Sequence, residues 1–243
     1  MRRCAGVRVM AVVLVLAASA AAAMGATLPR IAPLPPPRPD RAPAPSEPAR
    51  PTADPNALQR QAGAGDAECL AALDRLGVVY EALPPLSDGA CGTPHPLRVT
   101  RLADGVALSP PSTMTCGTAE ALARWVLEVV GPEAEHALGK PASAVLIGTS
   151  YECRSQNRRV GAKLSEHAFA AAVDVMGFAL GPQKTVAIGP VPPETPEGRF
   201  HAAVRTGACR YFNTVLGPGS DPEHATHLHL DLRGRKAGYR ICQ

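Results

Sequence analysis

No two of the seven cysteines stand in a Cys-x-x-Cys pair, which sets aside a cysteine zinc knuckle and a dithiol redox motif. No Gly-x-Ser-x-Gly elbow surrounds Ser165, so that serine is expected to orient backbone or ligand rather than to attack. Internal repeats are lacking. A basic excess is lacking where it would matter. Residues 1–65 hold eight of the 25 Lys and Arg and three of the 21 Asp and Glu, leaving 17 against 18 for the rest. A nucleic-acid-binding domain would carry a basic surplus there, so that class of partner is excluded.

A long apolar run is lacking too. Met10–Ala20 is too short for a stable bilayer anchor. With Arg2, Arg3 and Arg8 before it and small residues after it, the segment reads as a secretory signal, with cleavage after Ala23, Gly25 or Ala26. The alternative is an uncleaved signal acting as a membrane tether. Cys4 precedes the apolar core, the wrong place for lipoprotein acylation. From Pro29 to Pro55 the chain holds eleven prolines among Ala, Arg, Ser and Asp. Such a segment cannot bury enough surface to fold and favours an extended spacer. Its basic character would favour anionic cell-wall polymer or phospholipid surfaces. The expected organisation is a signal peptide over 1–26, a proline-rich disordered tether over 27–65 and one folded domain over 66–243. The sequence leaves the oligomeric state open.

That last segment is long enough for a substantial core. It contains Cys69, Cys91, Cys116, Cys153, Cys209 and Cys242, an even number behind a secretion signal, which suggests disulfides in a periplasmic or secreted protein. The expected pairing joins sequence neighbours: Cys69 with Cys91, Cys116 with Cys153, and Cys209 with Cys242. Each bridge of that loop size would contribute about 3 kcal/mol.

The patterning predicts a mixed fold. Helical spacing covers 67–76, with Gly77 closing it, and 118–130, where Leu122, Trp125, Val126, Val129 and Val130 form one stripe that Gly131-Pro132 should end. Trp125 belongs in the core. Residues 97–108 read as short strands and turns, 144–150 and 172–180 as strands, 200–206 as a short helix, and 217–222 as a turn. Thr226–Leu232 alternates cleanly, putting Thr226, Leu228, Leu230 and Leu232 on one face and His227, His229 and Asp231 on the other. The expected class is α+β: a small antiparallel sheet carrying a metal site, flanked by helices and stapled by disulfides.

The chemistry concentrates in two places. His224, His227 and His229 place three of the seven histidines within six residues. His227 and His229, two apart on a strand, present imidazoles to one side. Far upstream, His167 is followed seven residues later by Asp174, a carboxylate flanked by Ala172, Val173, Val175 and Met176 that is costly to bury without a cation. Neutral imidazoles plus one carboxylate form a donor set suited to zinc with a coordination position left open.

The string SEHAFAAAVD resembles the Ser-x-His-x-x-Gly-x-Ala-x-Asp signature of the zinc metallopeptidases that include D-alanyl-D-alanine carboxypeptidases and dipeptidases, lysostaphin-type endopeptidases and the Hedgehog signalling domain. The spacing of His224, His227 and His229 is similar to that of the penicillin-insensitive murein endopeptidases. YECRSQN, SEHAFAAAVDVMGF, FNTVLGPGSDPEHATHLHLDL and the terminal cysteine more closely resemble the bacterial extensin-like C-terminal domain family, over most of 66–243. The resemblance implies that His167, Asp174 and His229 hold Zn(2+), that His227 or His224 serves as general base, and that Arg154 stabilises a developing oxyanion. Asp231 would orient an imidazole from behind, and the partner would be peptidoglycan, as substrate of a hydrolase or as ligand of a non-catalytic wall-binding module. Two positions depart from the pattern. Ala170 stands at the glycine of the signature, and Thr226 stands where carboxypeptidase members have Glu, so acid–base chemistry falls to histidine.

Overall fold

In the computed structural model, the protein is described over residues 66–243; the expected signal peptide and tether lie outside the described residues. A helix over 66–75 (α1) is followed by strands β1 (Val79–Ala82), β2 (Leu86–Asp88), β3 (Cys91–Thr93), β4 (Pro96–Arg101) and β5 (Ala107–Thr115). Next come α2 (Cys116–Trp125), α3 (Gly131–Leu138), β6 (Ala144–Thr149), β7 (Ala172–Ala179) and β8 (Thr185–Ala187). The chain ends in α4 (Pro196–Ala208), β9 (Thr214–Leu216), β10 (Leu228–Asp231) and β11 (Ile241–Cys242). Among the described residues no helix is long and apolar enough to cross a membrane.

The α+β class holds, but the sheet is larger than the expected small antiparallel one. Nine strands form one sheet in the order β1-β4-β5-β6-β7-β10-β9-β11, with β8 also on β7, while β2 and β3 form a separate hairpin. Pairing is antiparallel except between β5 and β6 and between β9 and β11. Several of these strands are only two to four residues long, too short to show a period of two in sequence. β5 hides for another reason. It carries Pro110 and Pro111, which ordinarily argue against a strand, but they sit between the β6 pairing at Ala107–Ser109 and the β4 pairing that resumes at Ser112.

The helix expected to end at Gly131-Pro132 continues. After Trp125 it widens over Val126–Val130 into a π-helical turn in which Gly131 donates to Val126. Pro132 then falls in the first turn of α3, where no backbone donor is needed. The stop comes at Gly139, with a left-handed φ of 69°. α4 is longer than the expected 200–206 because Thr195 caps it, accepting from Gly198, and Pro196 starts it.

Core packing fixes the central strands. Trp125, Phe178, Phe200 and Phe212 are fully buried, with Trp125 and Phe178 centroids 5.9 Å apart and Phe178 and Phe200 edge-on at 5.2 Å. The indole of Trp125 donates to the Val204 carbonyl at 2.9 Å, so its polar end is satisfied. β7 contributes both Val175 and Phe178 to this core although they are three apart. A bulge opposite β6 explains it: Leu146 pairs with Gly177 and Ile147 with Val175, skipping Met176.

Of the expected disulfides, Cys209–Cys242 is present and the other two are corrected to Cys69–Cys116 and Cys91–Cys153. Loop-closure entropy rises only by about 0.6 kcal/mol per doubling of loop length, so it cannot choose partners. Packing chooses them. α1 lies by the start of α2, and the β2–β3 hairpin lies by the loop after β6, bringing the Cα atoms to 6.2 and 5.6 Å. Three disulfides point to an oxidising, extracytoplasmic compartment.

Candidate metal centre

The site is built on β7 and β10, neighbours at the middle of the sheet. Their antiparallel register sets His229 directly opposite Asp174, so both side chains emerge on one face within reach of each other. Leu228 and Leu230 point the other way, into the core. The expected strand over 226–232 is shorter: Thr226 lies in a turn and His227 in a bend just before β10, yet His227 still lines the same cleft as His229.

His167 arrives from the loop between β6 and β7. Ser165 caps a single 3-10 turn, Glu166–Phe169, by accepting from the His167 backbone N–H. The turn ends at Ala170, fully buried with φ 54° and ψ 24°. This left-handed conformation is the physical reason a glycine suits that position; an L-residue there costs about 1–2 kcal/mol.

Three donor atoms converge. His167 Nε2 is 3.1 Å from Asp174 Oδ1 and 3.1 Å from His229 Nδ1, and the latter two are 3.0 Å apart. The outer sides of the rings reveal their polarity. His167 Nδ1 lies 2.7 Å from the Ser150 carbonyl, which can only accept, so Nδ1 carries the proton and Nε2 presents a lone pair. His229 Nε2 lies 3.1 Å from the Asp231 carboxylate, so it too donates outward and Nδ1 faces inward. Two imidazole lone pairs and a carboxylate oxygen thus crowd one point. Such a triad needs a cation, either a proton or a metal. Its edges approach the roughly 3.3 Å separation of donors about 2.0–2.1 Å from a tetrahedral zinc. The three residues could hold a metal ion.

The electrostatics agree. Burial pushes the Asp174 carboxyl up, but hydrogen bonds and charge from His167 and His229 outweigh it and hold it well below the usual range. Burial pulls His229 down, yet its hydrogen bonds to Asp174 and Asp231 raise it to about 9. Asp231, which burial would raise, is held low by His229 and the Thr214 hydroxyl. The cluster therefore keeps its carboxylates ionised and attracts positive charge.

Above it lies a cleft of about 530 Å³. His167 is completely buried beneath, while Asp174 and His229 form part of the lining. Arg154 stands at the rim, its Nη2 3.9 Å from Asp174 Oδ2 and its Nε 2.9 Å from Glu152. His224 and His227 stand together, ring centroids 5.2 Å apart, with His224 5.7 Å from His229. They differ in support. His224 Nδ1 is 2.7 and 2.8 Å from the two oxygens of Asp221, which also accepts the His224 backbone N–H. That fixes Nδ1 as the protonated nitrogen and leaves Nε2 free. His227 Nε2 lies 3.6 Å from Asp174, beyond hydrogen-bond reach, and burial lowers its pKa.

The structure thus gathers every expected site residue around one cleft: His167, Asp174 and His229 as donors, Arg154, His224 and His227 around them, Ser165 and Asp231 behind. Sequence reading missed Ser150, Asp221, Thr214 and Arg235. Asp221 carried a usable signal, a helix-capping residue three before a histidine. Ser150 acts through its carbonyl, which any residue would offer. Thr214 and Arg235 had no signal, since they reach the site only through strand pairing and a returning tail.

A family described as extensin-like protein C-terminus matches residues 67–243, and the chain belongs to it. No curated protein and no solved structure matches the chain. The family description names no reaction, so the chemistry has to come from the donor set.

Proposed function

We propose that the domain is a zinc-dependent peptidase acting on peptidoglycan peptides, of carboxypeptidase or endopeptidase type, in the periplasm or at the cell surface. One observation carries this reading: two outward-donating histidines and a buried carboxylate point their lone pairs at one spot on the floor of an open cleft. His167, Asp174 and His229 would hold the ion. What zinc would supply there is Lewis acidity, polarising a peptide carbonyl and acidifying a water.

The chain's own residues account for the rest. His224 Nε2, left as the unprotonated ring nitrogen and aimed by the Asp221 contacts to Nδ1, takes the proton from the attacking water and returns it to the leaving amine. His227, half-buried and biased towards its neutral form, lines the cleft beside it. Arg154 lies within reach of charge developing on the carbonyl oxygen; one such donor is worth about 10²–10³ in rate. Disulfides and the sequence resemblance support the cell-wall setting.

The test is metal analysis of the protein followed by mass spectrometry of a muropeptide digest. Stoichiometric zinc and chelator-sensitive fragment release are expected. Metal-free protein, or cleavage untouched by His229→Ala, would defeat the reading. Thr226, at the place of the carboxypeptidase Glu, favours a second reading as a non-catalytic wall-binding module. Sedimentation with purified sacculi without fragment release would establish it.

A further inference from the structure

Behind His229 runs a chain of hydrogen bonds in which every donor and acceptor is fixed. Arg235 Nη2 donates to the Thr214 hydroxyl oxygen at 2.7 Å. A guanidinium has no acceptor capacity, so the threonine oxygen must accept there and its proton must go elsewhere. It goes to Asp231 Oδ1, 2.5 Å away. Asp231 Oδ1 also takes the Arg233 backbone N–H at 2.9 Å, and Oδ2 faces His229 Nε2 at 3.1 Å. Donation therefore runs from Arg235 through Thr214 to Asp231, and the carboxylate, which only accepts, takes the imidazole N–H from the other side. The result at the far end is the one the triad needs: the Nε2 proton held outward and the Nδ1 lone pair inward.

Arg235 is held for this task from two sides. Its Nη1 donates to the Asn213 carbonyl at 3.0 Å. The tail that carries it returns along β9, where Ile241 pairs with Thr214 and Cys242 is bonded to Cys209. Asp231 and Thr214 are themselves register partners on β10 and β9. The arrangement spans two strands and the C-terminal segment, and the reaction outlined above uses neither Thr214 nor Arg235.

We propose that Thr214 and Arg235 are positioning residues for the metal: they fix the Asp231 carboxylate, and through it the tautomer and ring angle of His229. This rests on the reading of His167, Asp174 and His229 as metal ligands. Outer partners of a ligating histidine change metal affinity by roughly 10–100-fold, and that is the effect expected of Thr214→Val and of Arg235→Ala.

The experiment is competition for zinc against a chromophoric chelator, using the whole chain, together with the visible spectrum of the cobalt-loaded protein. The thermal midpoint is measured metal-free alongside. Thr214→Val and Arg235→Ala should each weaken zinc by about 10–100-fold and shift the cobalt bands, while Thr214→Ser, which keeps the hydroxyl, should bind zinc like the native chain. A strap that merely ties down the tail would change the thermal midpoint and leave affinity and spectrum alone. If Thr214→Val does not fold, Arg235→Ala carries the test, because its guanidinium is only part-buried. Native-like zinc affinity in Arg235→Ala overturns the inference while the metal centre stands. Failure of the native chain to bind zinc removes both.

Discussion

The two faces of the β7–β10 pair share a backbone and little else. On one face Val173, Val175, Leu228 and Leu230 are almost wholly buried in aliphatic and aromatic contacts. On the other, Asp174, His229 and Asp231 are nearly as buried, yet every one of them is tied to a partner by hydrogen bonds or charge. Residues one apart in sequence thus occupy a non-directional environment and a strictly directional one. The apolar face tolerates any filling of similar volume, whereas the polar face depends on which atom carries each proton. Stability and function can therefore be perturbed separately on adjacent residues.

The largest separation should come from His229→Ala. It removes one of three donors, so zinc affinity should fall by more than the roughly 100-fold upper bound for an outer partner. Chelator competition reads it; retention of stoichiometric zinc would break the contrast between the faces. Its neighbour Leu230→Ala should do the reverse, lowering unfolding free energy by about 2–5 kcal/mol in denaturant melts while the folded fraction binds zinc normally. A zinc affinity that drops alongside would show that the two faces are coupled.

The third perturbation is pH. His229 is raised in the folded, metal-free protein to about 9, so its stabilising contribution is complete below its ordinary value of about 6.5 and is lost as pH rises through 9. Asp174 and Asp231 are lowered, so theirs is present above about 4 and lost as pH falls. Metal-free protein should be most stable between about pH 4 and 6.5 and weaken towards pH 9. Metal bound at the triad would displace the His229 proton, so the gain in thermal midpoint on adding zinc should grow across pH 6.5–9. A gain that is flat over that range would mean the triad does not bind the ion. The smallest effect is expected at the cleft mouth. Arg159 and Glu223 lie 3.5 Å apart and well exposed, so Arg159→Ala should change stability by less than about 1 kcal/mol. A larger loss in the same melts would extend the ordered polar network out to the rim.

Much of the polar face was legible in sequence because its signals are local. The alternation of THLHLDL assigned Leu228 and Leu230 to one side and His229 and Asp231 to the other, and SEHAFAAAVD marked His167 and Asp174. What was misread depended on distance. Pro110 and Pro111 hid β5 because whether a proline breaks a ladder depends on the neighbouring strand. Pro132 looked like a helix stop because the wider turn that absorbs it is set by packing. The different surroundings of the histidine trio were likewise invisible in sequence: the loop fold sets Asp221 against His224, whereas His227 has no hydrogen-bonding partner among the described residues.

The sequence alone determined the chemistry available: three histidines and a carboxylate at the right spacings, six cysteines, and an alternating strand to present them. Those follow from side-chain type and the periodicities of helix and strand, which act over a few residues. Only the tertiary structure decided that His167 and His229, 62 residues apart, bring their nitrogens to 3.1 Å. It alone paired Cys69 with Cys116 and Cys91 with Cys153, and it alone laid Arg235 and Thr214 behind Asp231. These outcomes depend on strand register and on which elements share a core, and no local pattern encodes the energy of that packing.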